Sequence, residues 1–289
     1  MEVTHIDHMG TDLSVVNAAR VSFGKKSEWD IYDYDEEVHL ESRSITLIPK
    51  KRLEDKDKSL IQFLARGCTS GDWEKILDDV HSAAEVDGFD ESDVEDILKH
   101  VKNMPTHWTP FGHTAITLHI KAPIFVARQL GKHQVGMVWN EVSRRYVKDT
   151  PDFYVPDVWR AAAFNVKQGS SDEEVTMLCM GDDGYQTRGL PKLSHSSGRI
   201  RQSVGVAYAQ LRELYEEMLD SGVCPEQARM VLPQSMYTEW YWTGNLYSFA
   251  NVFIQRTDSH AQREVQEVAQ QISDVIEPLF PVSWEALVS

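Results

Sequence analysis

The segment HTAITLHIKAP, residues 113–123, constrains the fold most, because apolar and polar side chains alternate along it. In an extended chain Ile116, Leu118 and Ile120 would all lie on one face, which is typical of a half-buried β-strand. Pro123 then opens PIFVARQLGKHQ, where the apolar spacing predicts a helix with proline at its first position. The sequence therefore predicts a strand that leads directly into a helix.

Three later segments show equally clear periodicity. Residues 204–222 carry one apolar stripe and end in glycine, as a capped helix does. Residues 235–244, SMYTEWYWTG, alternate and are rich in aromatic side chains, which predicts a strand, and Asn245 can cap the segment that follows. At DSHAQ, Ser259 and Gln262 have the spacing of a capping box that begins a helix of about five turns. Because strands and helices do not alternate regularly, we predict an α+β fold in which helices pack on a mostly antiparallel sheet.

The length and composition indicate one domain. The chain has 289 residues, 42% of them hydrophobic, which is enough to bury a sizeable core. Two segments within the domain 1–289 differ in composition from the rest of the chain and are interpreted as insertions. Residues 70–104 are acidic, with a spacing that suits a short amphipathic helix, whereas residues 160–202 are rich in turn-forming side chains, which predicts long loops.

Composition also limits the location and the class of the protein. The sequence shows no apolar run long enough to span a membrane and no secretory signal at its start. Its three cysteines, Cys68, Cys179 and Cys224, are widely spaced and do not suggest a disulfide framework. We expect a soluble protein of the cytoplasm, or of the host cytoplasm if the source is a virus. The net charge of -16 argues against a general binder of duplex DNA or of anionic membranes.

Against this acidic background, several cations lie close together in the sequence. They are Arg128, Lys132, Arg144 and Arg145, and Ser143 lies beside the last two. Guanidinium groups and a hydroxyl are well matched to the oxygens of a phosphate. The alternative is an exposed helix end with ordinary surface ion pairs. The residues alone leave both interpretations open.

A second group of polar residues lies in IQRTDSHAQRE. Arg256, Asp258 and His260 precede the predicted last helix, whose N-terminus would favour an anion. Simple capping of that helix by Asp258 and Ser259 explains the same residues. This group is therefore a second, independent candidate for an anion site.

Other kinds of site have weaker support. His107, His113 and His119 are evenly spaced but lack the closer Cys or carboxylate partners of a usual ligand set, so no metal is expected. The sequence signatures of dinucleotide-binding folds, P-loops and α/β-hydrolases are missing. The residues alone support an anion-binding α+β domain and nothing more specific.

Three stretches of the chain, taken in order, resemble the flavin-dependent thymidylate synthases, particularly the forms carried by phages. They are DHMGTDLSVVNAARVSF, HWTPFGHTAITLHIKAPIFVARQLGKHQ through NEVSRRY, and ARMVLPQSMYTEWYWTGNLYSFANVFIQRTDSHAQREVQ. The family motif is Arg-His-Arg followed by serine after seven residues, whereas here Lys132-His133-Gln134 precede Ser143 by eight. Gly112 stands where many members carry an acidic residue. Cofactor contacts at these positions are therefore expected to be weaker or to come from elsewhere.

The resemblance implies the fold of that family and its reaction, the methylation of dUMP at carbon 5 of uracil to give dTMP. The one-carbon unit would come from methylenetetrahydrofolate and the hydride from reduced FAD, with NADPH as the reductant of the flavin. Such a reaction needs no nucleophile from the protein, so the task of the chain is positioning and electrostatic stabilisation. The resemblance also implies a homotetramer with shared active sites, and no membrane or nucleic-acid partner.

The resemblance further assigns roles to residues. Arg256 would contact uracil and, with His133, is the catalytic candidate, whereas Ser143 and Arg145 would lie nearest the phosphate. The complete nucleotide site would comprise Gln129, Glu141, Ser143, Arg144, Arg145, Arg229 and Arg256. FAD would be approached by Ser22, Thr109, Lys132, His133, Glu141, Asn245, Asn251 and His260, and His107 would border the flavin and the folate.

Two alternatives remain beside this interpretation. The altered motif at Lys132 and Gln134 is compatible with a relative that hydroxymethylates dUMP or methylates UMP. From another class, a non-catalytic module could bind single-stranded nucleic acid, because Trp139 and Tyr146 beside cations could stack on bases. The acidic remainder of the chain would oppose that binding.

Overall fold

The computed structural model describes residues 1–39, 44–66, 107–164, 169–176 and 200–289. The predicted acidic insertion at 70–104 lies outside the described residues, as does much of 160–202. The described strands are β1 (Glu2–Met9), β2 (Asp30–His39), β3 (Ser44–Arg52), β4 (Ala115–Pro123), β5 (Met137–Glu141), β6 (Arg160–Ala162), β7 (Ser170–Glu174) and β8 (Tyr237–Gly244). The described helices are α1 (Asp12–Arg20), α2 (Asp55–Ala65), α3 (Ile124–Leu130), α4 (Ile200–Asp220), α5 (Pro225–Ala228), α6 (Leu246–Thr257), α7 (Arg263–Ile276) and α8 (Pro281–Val288).

The main sheet has the strand order β1-β4-β8-β5, and every neighbouring pair in it is antiparallel. Ile116, Leu118 and Ile120 of β4 are fully buried, so the alternation in this segment is that of a half-buried strand, as predicted. In the register, Ile120 lies opposite Trp240 and Leu118 opposite Trp242. The prediction of an α+β fold with an antiparallel sheet is confirmed.

The buried face of the sheet and the C-terminal helices share one apolar core. Leu246 and Phe249 of α6, with Val265 and Ile272 of α7, are fully buried in the same cluster as the sheet residues. The ring of Trp242 meets the ring of Phe249 edge-on at 5.5 Å between centroids. Burial of large apolar side chains against one another is the main stabilising contribution of such a core. This packing fixes α6 and α7 directly against the sheet.

Two helix ends show where a local sequence signal was enough to predict the helix boundary and where it was not. Asn245 caps α6 as predicted, because its Oδ1 accepts a hydrogen bond of 2.8 Å from the backbone N–H of Ser248. The predicted first helical position of Pro123 is wrong, since this residue still ends β4 with an extended backbone and only precedes α3. Its ladder position opposite Tyr237 keeps it in the strand.

The predicted start of the last long helix at Ser259 is also wrong. The helix α7 begins at Arg263, with Gln262 in the capping position. The reason is a tight turn, in which the carboxylate of Asp258 accepts a hydrogen bond of 2.8 Å from the backbone N–H of His260. This turn separates α6 from α7 and leaves residues 258–262 outside both helices.

Two hairpins lie outside the main sheet. The strands β2 and β3 pair with each other, and Arg52 and Asp30 form an ion pair of 2.8 Å across them. The strands β6 and β7 form a second hairpin inside the segment 160–202, and α4 begins in the same segment at Ile200. The described residues of this segment thus include a hairpin and the start of a helix, and for the remaining residues the long loops stay a prediction. Among the helices described here, none has the length and apolar content needed to cross a membrane.

Candidate functional site

Three clefts lie around α3. The first and third share Ile124, Arg128 and Glu141, and the second includes Gln129 of α3. The first cleft has a volume of about 550 Å³ and is lined by residues that include Arg128, Lys132, His133, Gln134, Met137, Trp139, Glu141 and Trp242. The second cleft, of about 780 Å³, is lined by Gln129, Arg160, Gly169, Ser170, Asp172, Arg256, Ser259, His260, Ala261, Gln262, Arg263 and Gln266. The third cleft, of about 300 Å³, includes Arg128, Glu141, Arg144, Arg229, Met230, Gln234 and Thr238. Cations line all three clefts.

A pair formed by Arg256 and His133 connects the first two clefts. Near the end of α6, Arg256 donates from Nε to Nε2 of His133 at 2.8 Å. Burial, and then the positive charge of Arg256, lower the pKa of His133 to about 4. At neutral pH His133 is therefore uncharged, and its Nε2 is free to accept the hydrogen bond from the guanidinium. Burial also lowers the pKa of Arg256, but a guanidinium stays protonated.

The second contact of Arg256 leads into a row of hydrogen bonds along the wall of the second cleft. Its Nη2 donates to the backbone oxygen of Gln129 at 3.0 Å. The side chain of Gln129 donates from Nε2 to Oε1 of Gln262 at 2.7 Å, and Gln262 donates from Nε2 to Glu264 at 2.9 Å. Glu264 is buried and also accepts from Nη2 of Arg160 at 3.0 and 3.1 Å. This row ties the β6–β7 hairpin to the start of α7 and to α3.

Glu141 marks the boundary between the first and third clefts. Its carboxylate accepts a hydrogen bond of 2.7 Å from the hydroxyl of Thr238 and one of 3.3 Å from the indole N–H of Trp139. Trp139 is in turn stacked on Trp240, with 4.3 Å between ring centroids. Arg128 lines both clefts beside Glu141. The carboxylate is thus held on two sides in a position where it faces both spaces.

Two residues with a predicted phosphate role lie on the turn that follows β5. Ser143 Oγ accepts hydrogen bonds from Nε and from the backbone N–H of Arg145, at 3.2 and 3.4 Å. The guanidinium of Arg145 lies 5.1 Å from the ring centroid of Tyr146, and both side chains are exposed. Ser143 and Arg145 line none of the three clefts. Arg144 does line the third cleft, where it forms an ion pair of 2.7 Å with Asp149.

The predicted flavin contacts fall into separate groups. Lys132, His133 and Glu141 line the first cleft, whereas His260 lines the second. The carboxylate of Asp258 accepts from the backbone and the side chain of His260, which lowers the pKa of Asp258. The other predicted contacts line none of these clefts: Ser22, His107, Thr109, Asn245 and Asn251.

Three of the five residues outside the clefts, Asn245, Asn251 and His107, have local side-chain contacts. Asn245 caps α6, and Asn251 donates to the backbone oxygen of Tyr247 at 2.9 Å. The ring of His107 packs near that of Phe63 at 5.6 Å, and Ser22 is exposed. A single chain therefore does not gather all the predicted cofactor residues around one space.

A stacked aromatic pair accounts for Gly112. The rings of Trp108 and Tyr247 lie 5.6 Å apart. A Cβ at Gly112 would come within 3.2 Å of Cζ3 of Trp108, so a larger residue would press on that ring. Gly112 thus leaves space for Trp108, at a position where many members of the family that the sequence resembles carry an acidic side chain.

Some residues of the site were not predicted from the sequence. They are Arg160, Gln262 as a side-chain partner, and Glu264, which meet through contacts between distant parts of the chain. The only signal near them was the polar motif around Ser259. In the part of the chain that is described, no group of three or more His, Cys, Asp or Glu side chains could hold a metal ion.

Comparison with known proteins settles the family. The family model named "Thymidylate synthase complementing protein" matches residues 4–282. A flavin-dependent thymidylate synthase of Thermosipho africanus is 30% identical over 281 residues, which is 97% of this chain and 88% of that relative. The chain belongs to the flavin-dependent thymidylate synthase family. Another member, from Kosmotoga olearia, is 35% identical over 183 residues, which is 63% of this chain and 71% of its own.

Solved structures confirm the fold expected of a flavin-dependent thymidylate synthase. A UMP/dUMP methylase, PolB from Streptomyces cacaoi, bound with 5-Br dUMP, has a TM-score of 0.59 and 25% identity and covers 99% of this chain and 93% of its own. The same enzyme bound with 5-Br UMP has a TM-score of 0.58 and 26% identity, with coverages of 99% and 92%. The resemblance to the family drawn from the sequence is confirmed, and the chain is a member of an enzyme family whose relatives are named for flavin dependence.

Proposed function

We propose that this chain methylates dUMP at carbon 5 to give dTMP, with methylenetetrahydrofolate as the one-carbon donor and NADPH as the reductant of bound FAD. Its relatives are named flavin-dependent thymidylate synthases, which supports the reaction class. The observation that carries the proposal is the arrangement of Arg256 between His133 and Gln129 at the junction of two cation-lined clefts.

The geometry of Arg256 suits stabilisation of charge on a pyrimidine ring. A guanidinium has five N–H groups, and His133 and Gln129 occupy two of them within the described part of the chain. The others are available to the second cleft, where they can donate to a carbonyl oxygen of uracil. Because the two protein contacts fix the guanidinium in advance, little reorganisation is needed when negative charge develops on that oxygen. We therefore retain Arg256 as the catalytic candidate.

The contribution of His133 follows from its protonation state. A histidine with a pKa near 4 is a poor proton donor at neutral pH, so we assign it to holding Arg256 rather than to acid catalysis. Its neutral ring also avoids a second positive charge beside the guanidinium. Gln129 supports the same arginine from the other side through its backbone oxygen.

The first cleft fits a flavin in chemical character. Arg128 and Lys132 supply positive charge for a diphosphate, and Met137 with Trp139 supply an apolar wall for a planar ring. When bound, the reduced flavin supplies the hydride that the methyl group requires. Lys132, His133 and Glu141 would hold it, and His260 would approach it from the second cleft.

The scatter of the remaining predicted contacts supports a shared site. Ser22, His107, Thr109, Asn245 and Asn251 lie apart from the three clefts, as do the phosphate candidates Ser143 and Arg145. We propose that a homotetramer brings these surfaces against the clefts of a neighbouring subunit. Ser143 and Arg145 would then grip the nucleotide phosphate, with Arg144 and Arg229 at the third cleft beside it.

A second candidate substrate is UMP. The structurally similar PolB is named a UMP/dUMP methylase and is bound with an analogue of each nucleotide. Neither Arg256 nor Gln129 is tied by the described contacts to recognition of the sugar, so both nucleotides are compatible with the second cleft. Methylation of both, or of UMP alone, is the alternative to a strict deoxyribonucleotide enzyme.

The test is a product assay with matched variants. Purified protein with FAD, methylenetetrahydrofolate and NADPH is given dUMP or UMP, and mass spectrometry identifies the nucleotide product. We expect dTMP from dUMP, no product with Arg256→Ala, and an unchanged rate with Arg201→Ala. Within the described residues, the ion pair of Arg201 is an exposed one with Asp157. A hydroxymethylated product, or turnover retained by Arg256→Ala, would contradict the proposal. A protein that takes up no flavin and binds single-stranded nucleic acid would point to the non-catalytic alternative.

A further inference from the structure

The hydrogen bonds that lead away from Glu264 have only one possible direction. Glu264 is a buried carboxylate that accepts from Arg160 at 3.0 and 3.1 Å and from Nε2 of Gln262 at 2.9 Å. An ionised carboxylate can only accept hydrogen bonds, so it requires the NH₂ end of the Gln262 amide to face it. The oxygen of that amide must then point the other way.

The same constraint passes to Gln129. Oε1 of Gln262 lies 2.7 Å from Nε2 of Gln129, so the second amide must turn its NH₂ group towards the first. The carbonyl oxygen of the Gln129 side chain is left as its outward end. None of the described residues donates a hydrogen bond to this oxygen, and Gln129 lines the second cleft together with Arg256. Among the residues that line the second cleft, Gln129 thus has an amide oxygen without a described donor, and Arg256 has guanidinium N–H groups.

We propose that Glu264 and Gln262 are positioning residues, which fix the Gln129 amide so that the site accepts uracil and rejects cytosine. This inference rests on the proposed function, because it takes a pyrimidine nucleotide as the ligand of the second cleft. Under this proposal, Glu264, Gln262 and Gln129 together select between uracil and cytosine, which no one of them could do alone.

The chemistry of the two bases explains the selection. Uracil carries an N–H at ring position 3 next to carbonyl oxygens, which can donate to Gln129 Oε1 while an adjacent oxygen accepts from Arg256. Cytosine carries a lone pair at the same ring position, so it would place an acceptor against the amide oxygen. If the Gln129 amide were free to turn over, its NH₂ group could donate to cytosine instead. The fixed direction of the row prevents this, together with the weaker hydrogen bond of 3.4 Å that Gln129 Nε2 donates to the backbone oxygen of Phe125.

The test measures selectivity rather than activity alone. On the flavin-loaded enzyme, dissociation constants for dUMP, dCMP and N3-methyl-dUMP are measured by calorimetry for the wild type and for Gln262→Met. We expect the wild type to prefer dUMP over both analogues, and the variant to lose about tenfold of the dUMP over dCMP preference, equivalent to about 1.4 kcal/mol. Gln270→Met on the α7 helix is the control and should leave the preference unchanged, because the side-chain partner of Gln270 among the described residues is the exposed Asp274.

Glu264→Gln provides a second route to the same result. An amide at this position can donate or accept, so the direction of the row is no longer enforced, and the preference should fall as in Gln262→Met. Thermal unfolding checks that each variant is folded, and the dissociation constants are compared for any variant that is folded. An unchanged preference in a folded variant that still binds dUMP would overturn the positioning role while leaving the proposed function intact. A wild type that does not bind dUMP would overturn both, and one that binds dUMP and dCMP equally would overturn the positioning role.

Discussion

Replacing Arg160 by methionine would leave a buried carboxylate without its cationic partner. The side chains of Arg160 and Glu264 are only 15% and 6% exposed, and both carboxylate oxygens accept from the guanidinium. Removal of one partner from a buried pair costs roughly 3–5 kcal/mol, because the remaining charge stays desolvated. Of the described hydrogen bonds to the Glu264 side chain, the one from Gln262 remains, so we expect the lower end of that range, about 3 kcal/mol.

The assay is thermal and urea unfolding of Arg160→Met beside a matched control. A loss of about 3 kcal/mol corresponds to a fall in Tm of roughly 6–12 °C for a chain of this size class. The control is Arg201→Met, whose ion pair with Asp157 joins side chains that are 61% and 90% exposed. Exposed pairs contribute about 0–1 kcal/mol, so its Tm should change little.

A double variant separates the cost of an unpaired charge from the loss of packing. Arg160→Met combined with Glu264→Leu removes both charges, and replacement of a whole buried pair by apolar residues is often close to neutral. The double variant should therefore be more stable than Arg160→Met alone. The reasoning is refuted if Arg160→Met is no less stable than Arg201→Met, or if the double variant is the least stable of the three.

Arg256→Lys keeps the positive charge but loses the planar guanidinium that bonds to the imidazole of His133, so turnover of dUMP should fall by about 100-fold with the substrate still bound. A fall of less than threefold in the steady-state rate would contradict this. The pKa of His133 in the folded chain is about 4, below its unfolded value, so the unfolded chain binds more protons between about pH 4 and pH 6.5 and stability rises with pH there. His133→Gln should flatten that rise by about 1 kcal/mol, after allowance for the partial exposure of the ring. Urea titrations at pH 5 and pH 7.5 measure the difference. Gly136 has a φ of 72°, and a Cβ there would lie within 2.4 Å of Ser248 Oγ, so Gly136→Ala should lower stability by about 1–3 kcal/mol in thermal unfolding, whereas Gly205→Ala, in an open helical position, should be neutral or stabilising.

The elements that the sequence predicted are those whose signals are local. The alternation in β4 reports burial of one face, and the cap at Asn245 needs only the backbone three residues ahead. The start of α7 was misplaced because the polar stretch around Ser259 fits two local solutions, a capping box and a tight turn. The turn is the one observed, since Asp258 bonds to the backbone of His260. Spacing alone does not distinguish these two uses of the same side chains.

The contacts that organise the site depend on residues far apart in the chain. Arg160 and Glu264 are separated by 104 positions, and Arg256 and His133 by 123. Neither pair leaves a periodic trace in the sequence, so a pattern of apolar spacing does not reveal it. The family resemblance supplied Arg256 and His133 as candidates, but only the structure shows that one holds the other. The β2–β3 hairpin was missed for a related reason, because it exposes apolar side chains such as Tyr34 and Leu47 and has no buried face to mark it.

The distribution of charge decides how an acidic chain can hold an anionic nucleotide. With 45 acidic and 29 basic residues, the chain as a whole repels a phosphate. At physiological salt, however, exposed charges act over only about 8 Å, so a phosphate inside a cleft responds mainly to the residues that line it. Arg128, Lys132, Arg144 and Arg229 surround α3 and β5, where the first and third clefts meet. Under the proposed function, Arg128 and Lys132 would attract the flavin diphosphate, and Arg144 and Arg229 would attract the nucleotide phosphate. The acidic remainder would disfavour longer polyanions that extend beyond the clefts.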